Sequence, residues 1–303
     1  MPDVFLMGIT QRRYKALVDF PQVHRFLTET YDPASLNSYL LPQYFEYGHT
    51  HRSFNHHITH HIGLWEDNGE IVGIACYGMY PGEYPGRCHL HVRKGYESLL
   101  PETLEWAKEN LCEANEGQRQ LACWITDKEP QKRELLQKDG FVLDMTKPVK
   151  IFDYTHKFLK HSLPAGFNII DGTSVDYRKL NSCFWWGFEG KDDPDNNFDC
   201  RIHMWNAPNA RLDLNTIIVA PDGEYACALG MWYDPQNQYA YLEPLATIPK
   251  YKGMKLATIA LSEAMKKTKT LGAQYCFGAA SEFYSAIGFE TVCNRELWRK
   301  QNF

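Results

Sequence analysis

The sequence predicts an α/β protein of the α+β type, built from two similar units that each contain a mixed, largely antiparallel twisted sheet flanked by helices. The segments LWEDNGEIVGIACYGMY (64–80) and IVAPDGEYACALGMWYD (218–234) each give an apolar strand, a tight turn and a second apolar strand. Their turns contain Asn-Gly and Asp-Gly, which favour type I′ hairpins because these residues accept positive φ. The two hairpins lie about 150 residues apart, so the pattern indicates a repeat.

The repeat continues towards the end of each half. A short helical pattern is followed by Gly-Phe and a strand, with the glycines at Gly140 and Gly288. The distance from the hairpin glycine to this glycine is 71 residues in the first half and 65 in the second. We therefore expect two units, 1–155 and 156–303, joined near residues 155–168, where proline and glycine indicate a linker. The alternative is a coincidence between two common hairpins.

Composition excludes several classes of protein. The formal net charge of -5 argues against a nucleic-acid-binding protein, which normally has a basic face. Nine cysteines without CxxC pairs favour reduced thiols over a disulfide framework. We find no apolar run long enough to span a membrane and no signal-peptide pattern at the start of the chain. We expect a cytoplasmic protein without nucleic-acid or membrane partners, either a monomer or a homodimer.

The stretch YLEPLATIPKYKGMKLATIAL (241–261) predicts a strand, a basic loop and a helix. Pro249 ends the strand pairing, and Gly253 permits a tight turn. From Met254 the pattern is helical, with apolar residues on one face at Leu256, Ile259, Ala260 and Ala264. The unpaired amides and positive dipole of a helix start attract phosphate, and Lys250, Lys252 and Lys255 add charge. The alternative is a solvated helix end.

Two motifs in this half resemble the GNAT superfamily of N-acetyltransferases. The family loop Arg/Gln-x-x-Gly-x-Gly/Ala corresponds to PKYKGMKLA at 249–257, and the later Ala-x-x-x-Tyr-x-x-x-Gly-Phe corresponds to Ala280, Tyr284 and Gly288-Phe289. The resemblance covers residues 168–300. The chain departs from the family pattern at Lys252 (Arg/Gln), Lys255 (glycine) and Phe277 (asparagine).

The resemblance implies two GNAT-like units and an acetyl-CoA site in the second unit. The backbone amides that would hold the pyrophosphate belong to Lys252, Gly253, Met254, Lys255, Leu256 and Ala257. The strand residues that would pair with the pantetheine arm are Leu245, Ala246 and Thr247. The implied reaction is acetyl transfer from acetyl-CoA to a primary amine of a small molecule or peptide by direct attack. The alternative is a non-catalytic CoA-binding or interaction protein with the same fold.

Proton transfer in this reaction requires a base for the amine and an acid for the leaving sulfur. Glu243 lies six residues before Pro249, near the implied acyl group, and neighbouring aromatic residues could raise its pKa into the range of a base. Its alternative role is a structural ion pair or a solvent-facing edge position. Tyr284 matches the family tyrosine that protonates the thiolate, and its alternative role is core packing.

An aromatic and acidic cluster indicates a site for the acceptor. In FWWGFEGKDDPDNNFDCRIHMW (184–205), Trp185 and Trp186 are followed by Glu189 and Asp192. Aromatic faces and carboxylates together attract a cationic amine. The alternative is a helix whose aromatic residues pack in the core, followed by a solvated acidic loop.

The first half lacks the features of the donor site. The loop of CHLHVRKGYESLLPETLEWAKENL (88–111) has the single glycine Gly95, and Leu136 occupies the position that matches Tyr284. We therefore expect a degenerate unit that supports the second by packing. Its six histidines between His49 and His61 have no carboxylate or cysteine at ligand spacing, so we expect surface or interface histidines and no metal site.

Overall fold

A computed structural model of the chain describes residues 8–78, 86–115, 117–188, 194 and 196–303. The chain divides into two compact units, one of residues 1–148 with 293–303 and the other of residues 149–292. This division differs from the expected bounds of 1–155 and 156–303 in two ways: the boundary lies between residues 148 and 149, and residues 293–303 belong to the first unit. Their strand pairs with a strand of the first unit along its length.

Before residue 142, the described residues of the first unit form six strands and four α-helices. The strands are β1 (Ile9–Arg13), β2 (Gly63–Asp67), β3 (Glu70–Tyr77), β4 (Arg87–Val92), β5 (Glu113–Asn115) and β6 (Gln118–Thr126). The helices are α1 (Ala16–Glu29), α2 (Pro42–Thr50), α3 (Leu100–Asn110) and α4 (Pro130–Lys138). Short 3₁₀ turns lie at Leu36–Tyr39, His56–His61 and Glu97–Leu99.

The next strand, β7 (Val142–Asp153), contains the boundary between the units. The second unit continues with β8 (Asn168–Asp171), α5 (Tyr177–Phe188), α6 (Asp199–Trp205), β9 (Thr216–Val219), β10 (Tyr225–Asp234), β11 (Tyr239–Thr247), α7 (Leu256–Thr270), β12 (Tyr275–Gly278) and α8 (Glu282–Ala286). The last strand is β13 (Glu290–Gln301). The irregular segment between β7 and β8, which the sequence predicts as the linker between the units and which is called the linker below, lies within the second unit, because the boundary falls inside β7.

The two units have the same strand order. In the first unit the order is β1-β2-β3-β4-β6-β13, and β5 pairs with β6. In the second it is β8-β9-β10-β11-β12-β7. In each order the fourth and fifth strands pair in parallel, and the pairs on either side of them are antiparallel. The predicted fold class, a mixed and largely antiparallel sheet with helices, is confirmed.

The two hairpin turns differ from each other. At Asn68-Gly69 both residues have positive φ (52° and 83°) between the paired residues Asp67 and Glu70, as predicted for a type I′ turn. In the second hairpin only Gly223 has positive φ, and the turn is longer. The type I′ prediction is wrong there, because the preceding Pro221 fixes its own φ at a negative value and shapes a wider loop.

Helix α7 packs its predicted apolar face into the core of the second unit. Leu256, Ile259, Ala260 and Ala264 are all at most 5 % exposed. They pack under β10, which is buried along most of its length. The helix begins at Leu256, two residues later than the pattern predicts, because Lys255 adopts a left-handed conformation (φ 63°). This packing fixes the start of α7 beside the end of β11.

Candidate functional site

Strands β11 and β12 separate within the second unit. They pair in parallel from Tyr239↔Tyr275 to Tyr241↔Phe277, and β12 ends at Gly278. Strand β11 continues to Thr247 and is paired there with β10, opposite Cys227. The β12 side of its last residues therefore has no partner strand among the described residues. A strand end with unpaired main-chain groups can bind an extended ligand.

The loop that follows β11 presents unpaired amides. Gly253 has a φ of 85°, and the next residues lead into α7 without a side-chain cap. Among the described residues, no acceptor is hydrogen-bonded to the main-chain amides of 253–258. The amide of Lys252, which the resemblance places with this group, instead donates to the Pro249 carbonyl at 3.2 Å. That part of the prediction is wrong because a 3₁₀ turn occupies Pro249–Tyr251.

The loop and the strand end meet at one cavity of about 530 Å³. Six predicted donor-site residues line it: Thr247, Lys252, Gly253, Lys255, Leu256 and Ala257. Leu245, Ala246 and Met254 are not among its lining residues. The cavity is also lined by residues that the sequence analysis did not single out, namely Leu159, His161, Tyr251, Thr258, Phe283, Ala286 and Ile287. They come from the linker, the loop, α7 and α8.

The three lysines of the loop have different environments. Lys250 forms ion pairs with Asp222 at 2.8 Å and Glu224 at 3.2 Å, so its charge is neutralised by the hairpin. The expectation that Lys250 adds to the field at the helix start is therefore wrong. Lys252 and Lys255 are exposed, line the cavity and have no ion pair with any described residue. The available positive charge at the cavity comes from these two.

Glu243 lies on β11 where the pairing with β10 is irregular. The register shifts between Leu229 and Met231, and the side chain of Trp232 donates a hydrogen bond of 3.0 Å to the carbonyl oxygen of Glu243. Burial raises the pKa of its carboxyl group to about 7. A raised pKa agrees with the requirement for a base near neutral pH. Glu243 does not line the cavity of the loop.

Tyr284 lies on α8 and is 7 % exposed. Its ring packs edge-on against Phe283 (5.1 Å) and Phe289 (5.2 Å). A Cβ at Gly278, the last residue of β12, would lie 2.8 Å from the Tyr284 ring, so the ring sits directly on the strand end. Tyr284 is thus placed beside the point where the strands have separated, although its side chain does not line the cavity.

Only part of the predicted acceptor cluster lies in the described chain. Trp185 and Trp186 are half-buried on α5, whereas Glu189 and Asp192 lie outside the described residues. Helix α5 approaches β11 closely. At the point of closest approach, a Cβ at Gly187 would lie 2.5 Å from the Cβ of Ala246. The helix that carries both tryptophans therefore packs against the same strand as the predicted pantetheine-binding residues.

In the equivalent region of the first unit, main-chain groups are hydrogen-bonded to side chains of the same unit. Before α3, the amide of Gly95 donates to both carboxylate oxygens of Glu97 at 3.0 Å, so a carboxylate occupies the anion position. At the end of β4, the buried Lys132 donates to the carbonyl of Leu90 at 2.6 Å and to Ser38 at 2.8 Å. A nearby cavity of about 860 Å³ has walls with charges of both signs.

The histidine-rich segment does not form a common face. His56–His61 form a 3₁₀ turn with three residues per turn, so the i, i+4 pairs point in different directions. His49, which was expected at the surface or at an interface, is half-buried. Its ring lies between Phe45 (4.2 Å) and Phe54 (4.5 Å), and burial lowers its pKa to about 4. Within the described residues, no group of three or more His, Cys, Asp or Glu side chains is placed to hold a metal ion.

The helices within the described ranges are all too short or too polar to cross a membrane. No curated protein sequence matches the chain significantly. Residues 178–289 match the acetyltransferase (GNAT) family model. This segment includes the diverging strands, the loop at the start of α7 and Tyr284.

Two solved structures of GNAT proteins resemble nearly the whole chain. A tandem GNAT protein from the clavulanic acid biosynthesis pathway has a TM-score of 0.63 at 13 % identity, with 97 % of this chain and 99 % of that chain covered. A GCN5-related N-acetyltransferase from Sphaerobacter thermophilus has a TM-score of 0.58 at 14 % identity, with 97 % and 95 % covered.

A more distant neighbour is the N-myristoyltransferase of Saccharomyces cerevisiae, solved with bound myristoyl-CoA. Its TM-score is 0.54 at 11 % identity, with 99 % of this chain and 80 % of that chain covered. At these identities the similarity establishes the fold. Residues 178–289 are a domain of the GNAT acetyltransferase family, and the chain as a whole has the fold of a tandem GNAT protein.

Proposed function

We propose that the second unit is an acetyl-CoA-dependent N-acetyltransferase that acts on a primary amine of a small molecule or peptide. The observation that carries this proposal is a single cavity in which the unpaired amides before α7 adjoin the end of β11. Its volume of about 530 Å³ lies in the range of small-molecule and cofactor sites. The family match of residues 178–289 supports the same activity.

The residues around the cavity of the loop fit acetyl-CoA, the proposed acetyl donor. The amides from Gly253 to Thr258 and the dipole of α7 would bind the pyrophosphate, with Lys252 and Lys255 as cationic partners. The unpaired edge of β11 at residues 245–247 would hydrogen-bond the pantetheine arm, as a partner strand does. This arrangement would direct the thioester towards the region where β11 leaves β12.

The acceptor must reach the thioester as a neutral amine. Its nitrogen attacks the carbonyl carbon, a C–N bond forms and the C–S bond breaks. We propose that Glu243 accepts the proton that the amine loses, through a water molecule, because burial gives this carboxyl group a pKa of about 7. We propose that the phenol of Tyr284 donates the proton that the thiolate gains. The residues that we assign to binding the acceptor amine are Trp185, Trp186, Glu189 and Asp192.

A non-catalytic CoA-binding protein is the second candidate. It is favoured by one observation, that neither Glu243 nor Tyr284 lines the cavity of the loop. Both candidates require the loop to bind CoA, and only the first requires turnover. A panel of amines therefore separates them.

Two measurements on the full chain test the proposal. Isothermal titration calorimetry with CoA and acetyl-CoA should give saturable heat, and the absence of heat at millimolar ligand would overturn both candidates. Thiol release from acetyl-CoA should then be measured with polyamines, amino acids, aminoglycosides and peptides. Release that depends on one amine class supports the enzyme, and binding without release for any class supports the second candidate.

A further inference from the structure

The segment between β7 and β8 is attached to α7 and does not pass freely through solvent. The ring of Phe158 packs against Phe152 (5.6 Å) and Tyr154 (5.3 Å) at the end of β7. The ammonium group of Lys269, on α7, lies 5.4 Å from the centre of the same ring. An aromatic ring held by two others and a cation fixes the start of the segment.

A second anchor follows directly. The carbonyl oxygen of Leu159 accepts a hydrogen bond of 3.1 Å from the hydroxyl of Ser262, a buried residue of α7. The bond uses the main chain of Leu159, so its side chain is left for other contacts. That side chain is 40 % exposed, which is high for a leucine in an anchored segment.

Leu159 and His161 both line the cavity of the loop. Leu159 shares the cavity with two apolar residues, Phe283 on α8 and Ile287 directly after it. His161 shares it with Lys252 and Lys255, and all three are exposed groups without an ion pair among the described residues. The linker thus contributes one apolar and one nitrogen-donor group to the wall of the proposed donor site.

We propose that Leu159 and His161 are further donor-binding residues, with Leu159 contacting the apolar part of CoA and His161 binding its ribose 3′-phosphate. The inference rests on the proposed function of the second unit. The amides before α7, with two lysines, match the two phosphate groups of the pyrophosphate, so the third phosphate of CoA requires another donor. An imidazole on the cavity wall can supply an N–H to a phosphate oxygen.

The test compares CoA with 3′-dephospho-CoA by calorimetry on the full chain. The variants are His161→Ala and Leu159→Ala. The matched controls are His156→Ala, at an exposed histidine of the same segment that does not line the cavity, and Leu271→Ala, at a leucine that is 41 % exposed at the end of α7. Thermal unfolding of each variant without ligand verifies that it is folded.

His161→Ala should raise the Kd for CoA about three- to fivefold and leave the Kd for 3′-dephospho-CoA unchanged, the size expected for one exposed charge-assisted contact. Leu159→Ala should raise both Kd values about fivefold, through the loss of apolar contact area. The two controls should bind like the wild type.

The outcomes for the two proposals are distinguishable. If the wild type binds CoA and the Kd values of both variants stay within the error of the wild type, the linker has no part in the site and only this inference fails. If His161→Ala weakens both ligands equally, the 3′-phosphate assignment is wrong. If the wild type itself binds neither ligand, the proposed function fails and this inference with it.

Discussion

The indole nitrogen of Trp232 donates a hydrogen bond of 3.0 Å to the carbonyl oxygen of Glu243. The same carbonyl lies against Gly230, where a Cβ would be only 2.6 Å away. The main chain of Glu243 is therefore held between two positions of β10, at the shift in register between Leu229 and Met231. A fixed main chain keeps the carboxyl group in a partly buried position, and its desolvation there raises its pKa.

The pKa of Glu243 makes stability depend on pH. Burial raises it from 4.5 to about 7, so between these values the folded protein binds a proton that the unfolded chain has lost. The free energy of unfolding therefore falls as pH rises through this window, by at most about 3 kcal/mol. Glu243→Gln removes the titrating group, and we expect the variant to be more stable than the wild type at about pH 8 and nearly equal at about pH 4.5.

Chemical denaturation at both pH values measures this difference, with the exposed Glu290→Gln as the control. A stability difference between Glu243→Gln and the wild type that does not change with pH would contradict the raised pKa. If Glu243 is the general base of an acetyltransferase, the same substitution should lower kcat about a hundredfold, because general base catalysis contributes on this scale.

Tyr284→Phe separates a role in proton transfer from a role in packing. The substitution keeps the ring that packs on Phe283 and Phe289 and removes only the hydroxyl. If the phenol protonates the leaving thiolate, kcat should fall about a hundredfold while KM for acetyl-CoA barely changes. Tyr233→Phe, whose hydroxyl donates to the Leu271 carbonyl at 2.7 Å, is the control and should keep kcat. An equal change in KM would assign Tyr284 to binding instead.

Lys255 combines a left-handed conformation with a position on the cavity wall. Its φ of 63° is unfavourable for a residue with a Cβ and favourable for glycine, so Lys255→Gly should stabilise the fold by about 0.5–1 kcal/mol. The same substitution removes a cation from the proposed phosphate site and should weaken CoA binding about fivefold. Stability and affinity thus change in opposite directions.

Lys250→Ala provides the contrast for affinity, because Lys250 is paired with Asp222 and Glu224. We expect its Kd for CoA, measured by calorimetry in low salt, to stay within twofold of the wild type. If Lys250→Ala weakens binding as much as Lys255→Gly does, the assignment of the two lysines to different partners is wrong.

Local patterns of the sequence predicted individual elements in each unit. Apolar spacing located the buried face of α7, and the Asn68-Gly69 pair located a type I′ turn. These features depend on neighbouring residues, whose conformational preferences are visible in the sequence. The start of α7 was misplaced because the left-handed conformation of Lys255 runs against the preference of its residue type.

Contacts between distant segments could not be predicted in the same way. Nothing in the sequence near Lys250 indicates that its charge is neutralised by a hairpin 28 residues earlier. The approach of Leu159 to the cavity depends on Ser262, which is 103 residues away along the chain. The membership of residues 293–303 in the first unit depends on strand pairing with β6. A repeated pattern locates similar elements without specifying which strand completes each sheet.

Lys132 should be essential for the stability of the first unit. It is 8 % exposed and pairs with Glu129 at 2.7 Å, besides its bonds to Leu90 and Ser38. Lys132→Met removes the cation and leaves the carboxylate and a buried carbonyl without it, so the free energy of unfolding should fall by about 3–5 kcal/mol.

Urea denaturation of the full chain measures this effect, with Lys138→Met as the matched control. Lys138 pairs with Glu134 on the surface of the same helix, where both side chains are mostly exposed, so its loss should leave the free energy of unfolding nearly unchanged. Because Lys132 fills the place in the first unit that corresponds to the strand end of the proposed donor site, the variant should keep the CoA affinity of the second unit. A Lys132→Met protein that is as stable as Lys138→Met would show that this network does not hold the first unit together.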